Sequence, residues 1–463
     1  MANRLDHGHF ATQHPCVSLL HESKLSLKLA IPLMIGQLSQ MLMGVIDTLM
    51  VGRLGVTELA ALTFANSLFY VPFVFGIGVL TAVSILSSTA RGAQKPEAAR
   101  ASCREGFYLG LGLGLLLFLF CGALSYKLDW FGQPENVTAA TRNFYRIIMA
   151  STIPALASIA LKNHADALNR PWIPFWIFLS GIILNVLLNW MLIFGNLGCP
   201  ALGFEGAAWA TLVARFAMLA AILAWLVSSK DLKEWVPHRW FLPMKFKSMR
   251  KLLRVGVPAS LQMLSEVSAF SAAGIIMGLI STQAMAAHQV AISMTGTAFM
   301  IPLGFSMALT VRIGEAYGAK DPQRLKAIAH SGWVVLVCTA TISATCFIFF
   351  GETMASWFIN ESSLIELTAA LLIICAAFQF FDAQQVGSAS MLRGMHDTRI
   401  PALVAFVSYW VIGIPAGLIF AFSFDMGARG VWWGLAIGLA MAALTLGWRM
   451  VVMMRYLIRS GSP

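Results

Sequence analysis

Charge is what this 463-residue chain has least of: 11% of its residues are Asp, Glu, Lys or Arg, against 58% hydrophobic. A soluble protein would carry about 25% charged residues, so a water-facing globular fold is excluded. The seven cysteines (16, 103, 121, 199, 338, 346 and 375) are scattered, odd in number and without a CxxC pair. Such spacing indicates neither a disulfide framework nor a zinc site. Catalytic signatures are missing too. Residues 21–25 read HESKL rather than HExxH, and no GxSxG nucleophile elbow occurs. Gly110-Leu-Gly-Leu-Gly lies inside an apolar run with no strand before it, which rules out a nucleotide-binding loop. The first 24 residues hold no apolar core of signal-peptide type, so the first helix itself is expected to direct insertion.

What the chain has instead is apolar stretches of bilayer length, ~17–25 residues each. About twelve recur, near residues 25–51, 59–88, 104–125, 142–162, 173–195, 202–228, 252–280, 284–312, 328–350, 364–390, 401–423 and 430–456. They predict an all-α polytopic membrane protein of about twelve transmembrane helices. The net charge of +11 does not point to nucleic acid, because the basic residues follow the loops. With both termini cytoplasmic, Arg91, Lys95, Arg100, Arg104, Lys162, Arg170, the run from Lys230 to Arg254, Arg312, Lys320, Arg324 and Lys326 fall inside. So do Arg393, Arg399, Arg449, Arg455 and Arg459, while the outer loops hold chiefly Arg53, Lys127 and Arg429. This is the positive-inside asymmetry, and it fits a multi-pass protein of a bacterial inner membrane. His7, His9, His14 and His21 are expected in a solvated tail.

The sequence contains itself twice. Adding 226 takes Pro32 to Pro258, Gly52 to Gly278, Gly78 to Gly304 and Gly92 to Gly318. Further on, ALNRPWIP parallels MLRGMHDTRIP and GFEGAAW parallels GARGVWW. Six helices per copy is an even number, so the copies are parallel repeats about an axis along the membrane normal. Transporters built this way bind substrate between or within their halves and rock between two access states. The expected organisation is a tail at 1–24, a six-helix lobe at 25–228, a cytoplasmic linker at 229–251 and a second six-helix lobe at 252–463. The linker is polar, basic and broken by Pro237 and Pro243, as a hinge strap would be.

Three carboxylates sit inside the apolar runs: Asp47, Glu266 and Asp382. An acidic side chain at mid-bilayer costs ~2.5–3.5 kcal/mol on insertion scales, so each is a functional candidate. The repeat maps Asp47 onto Ala273 and Glu266 onto Gln40, so the two halves are chemically unequal. Polar partners recur three or four residues apart and share helix faces. Gln37, Gln40, Gly44 and Asp47 align on the first helix, Asn185 and Asn189 on the fifth, Gln262 and Glu266 on the seventh, and Gln379, Asp382 and Gln385 on the tenth. Such stripes are tolerated when they face a cavity or one another; helix adhesion is the plainer use of the amides. The acids could carry protons, or Glu266 and Asp382 could supply oxygens to Na⁺. Residue types alone leave both open. His288 is a further cavity candidate, Arg215 is expected to pair with an acid or with backbone carbonyls, and several of the 24 methionines would give a pliable apolar wall.

The segments VIDTLMVG around Asp47, SEVSAF around Glu266, AAHQVAIS at 286–293, MALTVRIGEAYG at 307–318, QFFDAQQ around Asp382, LRGMHDTRIP at 392–401 and SYWVIGIPAG at 408–417 together resemble the multidrug and toxic compound extrusion (MATE) family, in its NorM-like branch. The resemblance covers about residues 25 to 456. It implies two six-helix lobes in a V around a central cavity, and export of cationic or amphipathic organic compounds against inward Na⁺ or H⁺ flow. It implies that Glu266 and Asp382 line a cation site, with Na⁺ as the metal if one binds, and that Asp47 serves the first lobe beside Asn185 and Asn189. The DinF-like branch would have aspartate at 189, so Asn189 favours the NorM-like assignment. No cofactor beyond the coupling ion is expected; the partners are small organic cations, Na⁺ or H⁺ and membrane lipid, with no nucleic acid, and the chain is expected to be monomeric. Rival readings are a lipid-linked sugar flippase of the same superfamily, which would need a more basic cavity, a membrane-embedded enzyme, or a channel.

Overall fold

The computed structural model of the chain describes residues 19–240, 243 and 245–460. Among them twelve helical spans are long and apolar enough to cross a membrane. In order they are Leu20–Gly52, Val56–Gly92, Pro96–Phe131, Glu135–Ala167, Trp172–Phe194 and Phe204–Ser228, then Phe246–Ile280, Thr282–Gly318, Pro322–Ser356, Ser362–Gly394, Arg399–Ser423 and Gly427–Arg459. Most run past the limits set by hydropathy, since a helix can continue where its side chains meet headgroups or protein rather than hydrocarbon. The first begins at Leu19, within the stretch expected to be tail. Glu22 explains this: it is buried and ion-paired with Arg312 of the eighth span, and Arg324 lies 3.9 Å from its second oxygen. His7, His9 and His14 lie outside the described residues.

Three spans are irregular, the third ending in a 3₁₀ segment over Ser125–Phe131 with Lys127 off the helical backbone. The fourth is two helices, Glu135–Ala150 and Thr152–Ala167, joined at Ser151; Pro154 cannot donate the i→i−4 bond that would bridge them. The eleventh is wound into wider π turns over Val407–Gly413 and Ile419–Ser423. There Gly413 and Gly417 lie against Gly434 and Gly438 of the twelfth span, a close backbone approach that larger side chains would prevent.

The repeat seen in the sequence organises the packing. The first half of the first span leaves its own lobe: Leu29, Ala30 and Leu33 pack with Phe305, Leu309 and Ile328 of the second. Reciprocally, Leu252 and Val255 at the start of the seventh span pack with Val79, Leu80 and Leu156 of the first. The crossings are pseudo-symmetric to the residue. A Cβ on Gly78 would stand 2.5 Å from Ser260 Cα, and one on Gly304 2.5 Å from Met34 Cα; 304 − 78 and 260 − 34 both equal 226. Nearer the helix ends Gly92 abuts the Glu315 carbonyl and Gly318 the Thr89 carbonyl, again 226 apart. All these contacts lie in the halves of the spans nearest residues 22 and 246. In the opposite halves no described residue comes within 4 Å of a Cβ position on Gly44 or Gly296. The lobes therefore close at one membrane face and part toward the other.

The connecting segment lies against the first lobe. It is sewn to the first lobe: Arg100 Nε donates to Glu234 O (2.7 Å), Tyr108 Oη to Trp240 O (2.7 Å) and His164 Nε2 to Trp235 O (3.1 Å). Its own Leu232 and Val236 are buried against Leu161 and Ile222 of that lobe. The seventh-span helix starts at Phe246, six residues before the expected lobe boundary, after Lys245 N donates to the buried Glu105 (3.2 Å).

Candidate functional site

A cavity of about 530 Å³ opens between the lobes. The second lobe supplies most of its wall. Gln262, Glu266 and Phe270 of the seventh span, each one turn apart, face it, and Tyr70 and Val74 of the second span close it from the other lobe. From the tenth span come Phe378, Asp382, Val386 and Arg393. That stripe has the spacing of one helix face, since eleven residues, about three turns, separate Asp382 from Arg393. The charged lining is two carboxyls against one guanidinium (−2 + 1 = −1 when all are ionised), with His288 beside them. Aromatic rings back the acids: Phe270 meets Phe378 edge-on at 5.8 Å, and Trp432 lies 5.5 Å from the His288 ring. Asp382 Oδ1, Gln262 Oε1 and His288 Nδ1 are buried without a hydrogen-bond partner among the described residues. Oxygens so placed are donors suited to a hard cation or to water.

A second polar cluster lies in the first lobe. Asn189 Nδ2 donates to Asp47 Oδ1 at 2.6 Å and approaches Asn185 Oδ1 at 3.3 Å, while Asn185 Nδ2 donates to Thr211 Oγ1 at 3.2 Å. Thr211 passes its own proton to the Ala207 carbonyl (3.0 Å). Beside this chain Arg215 donates to Ser151 Oγ at 2.6 Å, and its guanidinium stands over the rings of Phe73 (5.2 Å) and Phe69 (5.4 Å). The acid expected for Arg215 is Asp47, which acts on it through charge and not through a direct hydrogen bond. The direct contacts of the guanidinium are a hydroxyl and two π faces, which a long planar cation can exploit in apolar surroundings.

A family model described as MatE matches residues 32–191 and again 258–419, and its two starting points are 226 residues apart. A protein described as a probable multidrug resistance protein NorM of Agrobacterium fabrum is 33% identical over 93% of this chain and 94% of its own length. A namesake from Bradyrhizobium diazoefficiens is 35% identical over 92% and 93%. The chain belongs to the MATE family. Its fold is accordingly that of a solved MATE-family multidrug resistance transporter of the MOP superfamily in an outward-facing conformation, with a TM-score of 0.87, 22% identity, and coverage of 95% of this chain and 98% of that one. As a MATE protein this chain is a polytopic membrane protein of the bacterial inner-membrane type and a secondary transporter for efflux of organic compounds by antiport, not an enzyme. The flippase and channel readings are not favoured.

The residues singled out in this MATE sequence divide between the two clusters. Of the polar positions expected to line a cavity, Gln262 and His288 do so. Gln37 and Gln40 instead line a small crevice between the first and fifth spans. Asn185, Asn189, Gln379 and Gln385 are buried between helices. The cavity stripe of the tenth span runs through Phe378, Asp382 and Val386, and Gln379 and Gln385 sit about 60° to either side of Asp382. Sequence reasoning missed Tyr70, Thr211, Ser151 and Arg393. Only Arg393 left a signal, its place on the helix face of Asp382.

Proposed function

We propose that the chain exports cationic or amphipathic organic compounds in exchange for Na⁺ or H⁺, with Glu266 and Asp382 as the coupling acids and Asp47 as an accessory acid in the first lobe. One observation carries this: both acids open onto a single 530 Å³ cavity whose other walls are largely apolar and aromatic. An organic cation would be held there by carboxylate charge and by the faces of Phe270 and Tyr70. Na⁺ or H⁺ on the same carboxyls removes that attraction, so ion and drug exclude one another. Exclusion of this kind is what antiport requires.

Positive-inside topology puts the closed face, near residues 22 and 246, in the cytoplasm, so the cavity opens outward and the chain is poised to release drug and take up the ion. Occupancy by the ion would then favour separation of the lobes at the cytoplasmic seam and access from within. The chain would act as a monomer in the bacterial inner membrane. Ethidium efflux from proteoliposomes, with a Na⁺ or a pH gradient imposed separately, tests the reading. Efflux under Na⁺ alone assigns the ion to the Glu266 and Asp382 oxygens, and efflux under pH alone makes these acids proton carriers. Movement under neither gradient overturns the proposal.

A further inference from the structure

Arg250 and Arg254, one turn apart at the start of the seventh span, and Arg399, the first residue of the eleventh, surround a groove of about 590 Å³. Leu253, Val257 and Pro258 complete its wall. All three arginines are exposed, and none makes an ion pair or hydrogen bond to another described residue. Among the described residues no acid lines the groove. Asp397, two residues from Arg399, is already engaged by Arg449 Nε at 3.0 Å. Like charges at i, i+4 repel, and a third guanidinium adds to that cost. An anion between them removes it. Guanidinium, planar and weakly hydrated, pairs with phosphate through two parallel hydrogen bonds.

The surface below the arginines says where such a phosphate comes from. Leu253, Val257 and Leu261 follow one another at intervals of four down the seventh span, and Leu403 and Val407 continue the Arg399 face of the eleventh. Leu253, Leu261, Leu403 and Val407 are 37–60% exposed, in helices long enough to cross the bilayer. We infer that this groove is a binding site for an anionic phospholipid of the terminus-side leaflet, its headgroup phosphate held by Arg250, Arg254 and Arg399 and its acyl chains lying along the two apolar stripes. Basic pockets between spans on the cytoplasmic side are the usual form of such sites. The repeat provides an internal contrast. The corresponding positions in the first lobe are Lys24 (250 − 226), Lys28 (254 − 226) and, by the RIP/WIP match, Trp172. That lobe has no guanidinium triad in this position, so the site belongs to the second lobe alone.

The test titrates the purified full chain in detergent with dioleoyl phosphatidylglycerol, dioleoyl phosphatidylcholine or inorganic phosphate, and counts bound molecules by native mass spectrometry. Phosphatidylglycerol should bind at least tenfold more tightly than phosphatidylcholine. Arg250→Gln, Arg254→Gln and Arg399→Gln combined should abolish that preference. Lys24→Gln with Lys28→Gln, which lowers the net charge without touching the groove, should leave it intact. Should the triple variant not stay monodisperse, Arg399→Gln alone is read, and a preference reduced less than threefold overturns the site. Equal binding of the two lipids also overturns it, as does loss of the preference in the lysine variant. Inorganic phosphate displacing phosphatidylglycerol at equal concentration would assign the arginines to a soluble phosphate and overturn the lipid assignment.

Discussion

Asn169 of the first lobe donates through Nδ2 to Glu315 of the second at 3.1 Å, and its repeat counterpart, His396, meets Thr89 of the first lobe at 2.8 Å. The partners correspond as well, since 315 − 89 = 226 and 396 − 169 = 227. Asn169 and His396 both adopt left-handed backbone, with φ of 58° and 66°, just beyond the ends of their helices, and this turns each side chain across the seam. Thr89 already gives its single proton to the Ile85 carbonyl at 2.8 Å, so the His396 Nε2–H donates to Thr89 Oγ1. Glu315 is further held by Arg324 at 3.4 Å, with Arg91 at 4.0 Å. Two reciprocal bonds and a charge cluster thus latch the face where the lobes meet.

Removing either bond should loosen that face. A hydrogen bond contributes about 0.5–1.5 kcal/mol net, so Asn169→Ala or Thr89→Val should raise the population with the seam open by roughly two- to tenfold. Spin-label distances across the seam would report it, and the double variant should show the product of the single effects.

The His396 latch should also respond to pH. Burial first, and the Lys251 charge second, push its pKa down from 6.5 to about 4, so the closed seam holds a neutral imidazole. Released to water the ring regains its ordinary value, and the open form binds the extra proton. The latch is at full strength above about pH 6.5 and weakens as pH falls toward 4. Cross-seam distances measured over that range should lengthen with acid in the wild type, and His396→Gln should flatten the dependence.

Gly78 and Gly304 stand at equivalent crossings, and any side chain there meets backbone. Overpacking of this sort costs about 1–3 kcal/mol. Gly78→Ala and Gly304→Ala should each shift the chain away from the closed seam, by similar amounts, and slow drug efflux in proteoliposomes. A large effect of one and none of the other would mean that the two crossings do not share the work of closure.

Glu266→Gln, Asp382→Asn and Asp47→Asn should each reduce ethidium efflux by tenfold or more while leaving membrane insertion unchanged. Neutral isosteres keep the packing and remove the charge that distinguishes ion from drug. Wild-type transport by all three variants would refute the coupling role.

Arg215→Lys should not restore what Arg215→Gln loses. The ammonium can still reach Ser151 but cannot lie flat against Phe69 and Phe73, contacts worth about 0.5–2 kcal/mol. Thermal unfolding of both variants in detergent should show a lowered midpoint, with lysine recovering only part of it.

Class, span number and duplication were legible in the residues themselves. Hydrocarbon forces each segment to satisfy its own backbone, so twelve apolar runs declare twelve helices, and glycines and prolines at one shift declare the repeat. Helical periodicity grouped Asp47 with Gln37 and Gln40, and Asp382 with Gln379 and Gln385, and the fold lines its cavities with other groupings. Which faces meet was another matter. Rotation of each helix about its axis depends on neighbours hundreds of residues away, and so only the folded chain put Glu266 and Asp382 on one cavity with Arg393. For the same reason it put Asp47 with Asn189 in a separate cluster and left Gln379 and Gln385 beside the cavity stripe. The crossing of the first and seventh spans into the opposite lobes, and the paired reach of Asn169 and His396 over the seam, have no local signature at all. They exist because two copies of one fold each bury their first helix against the other.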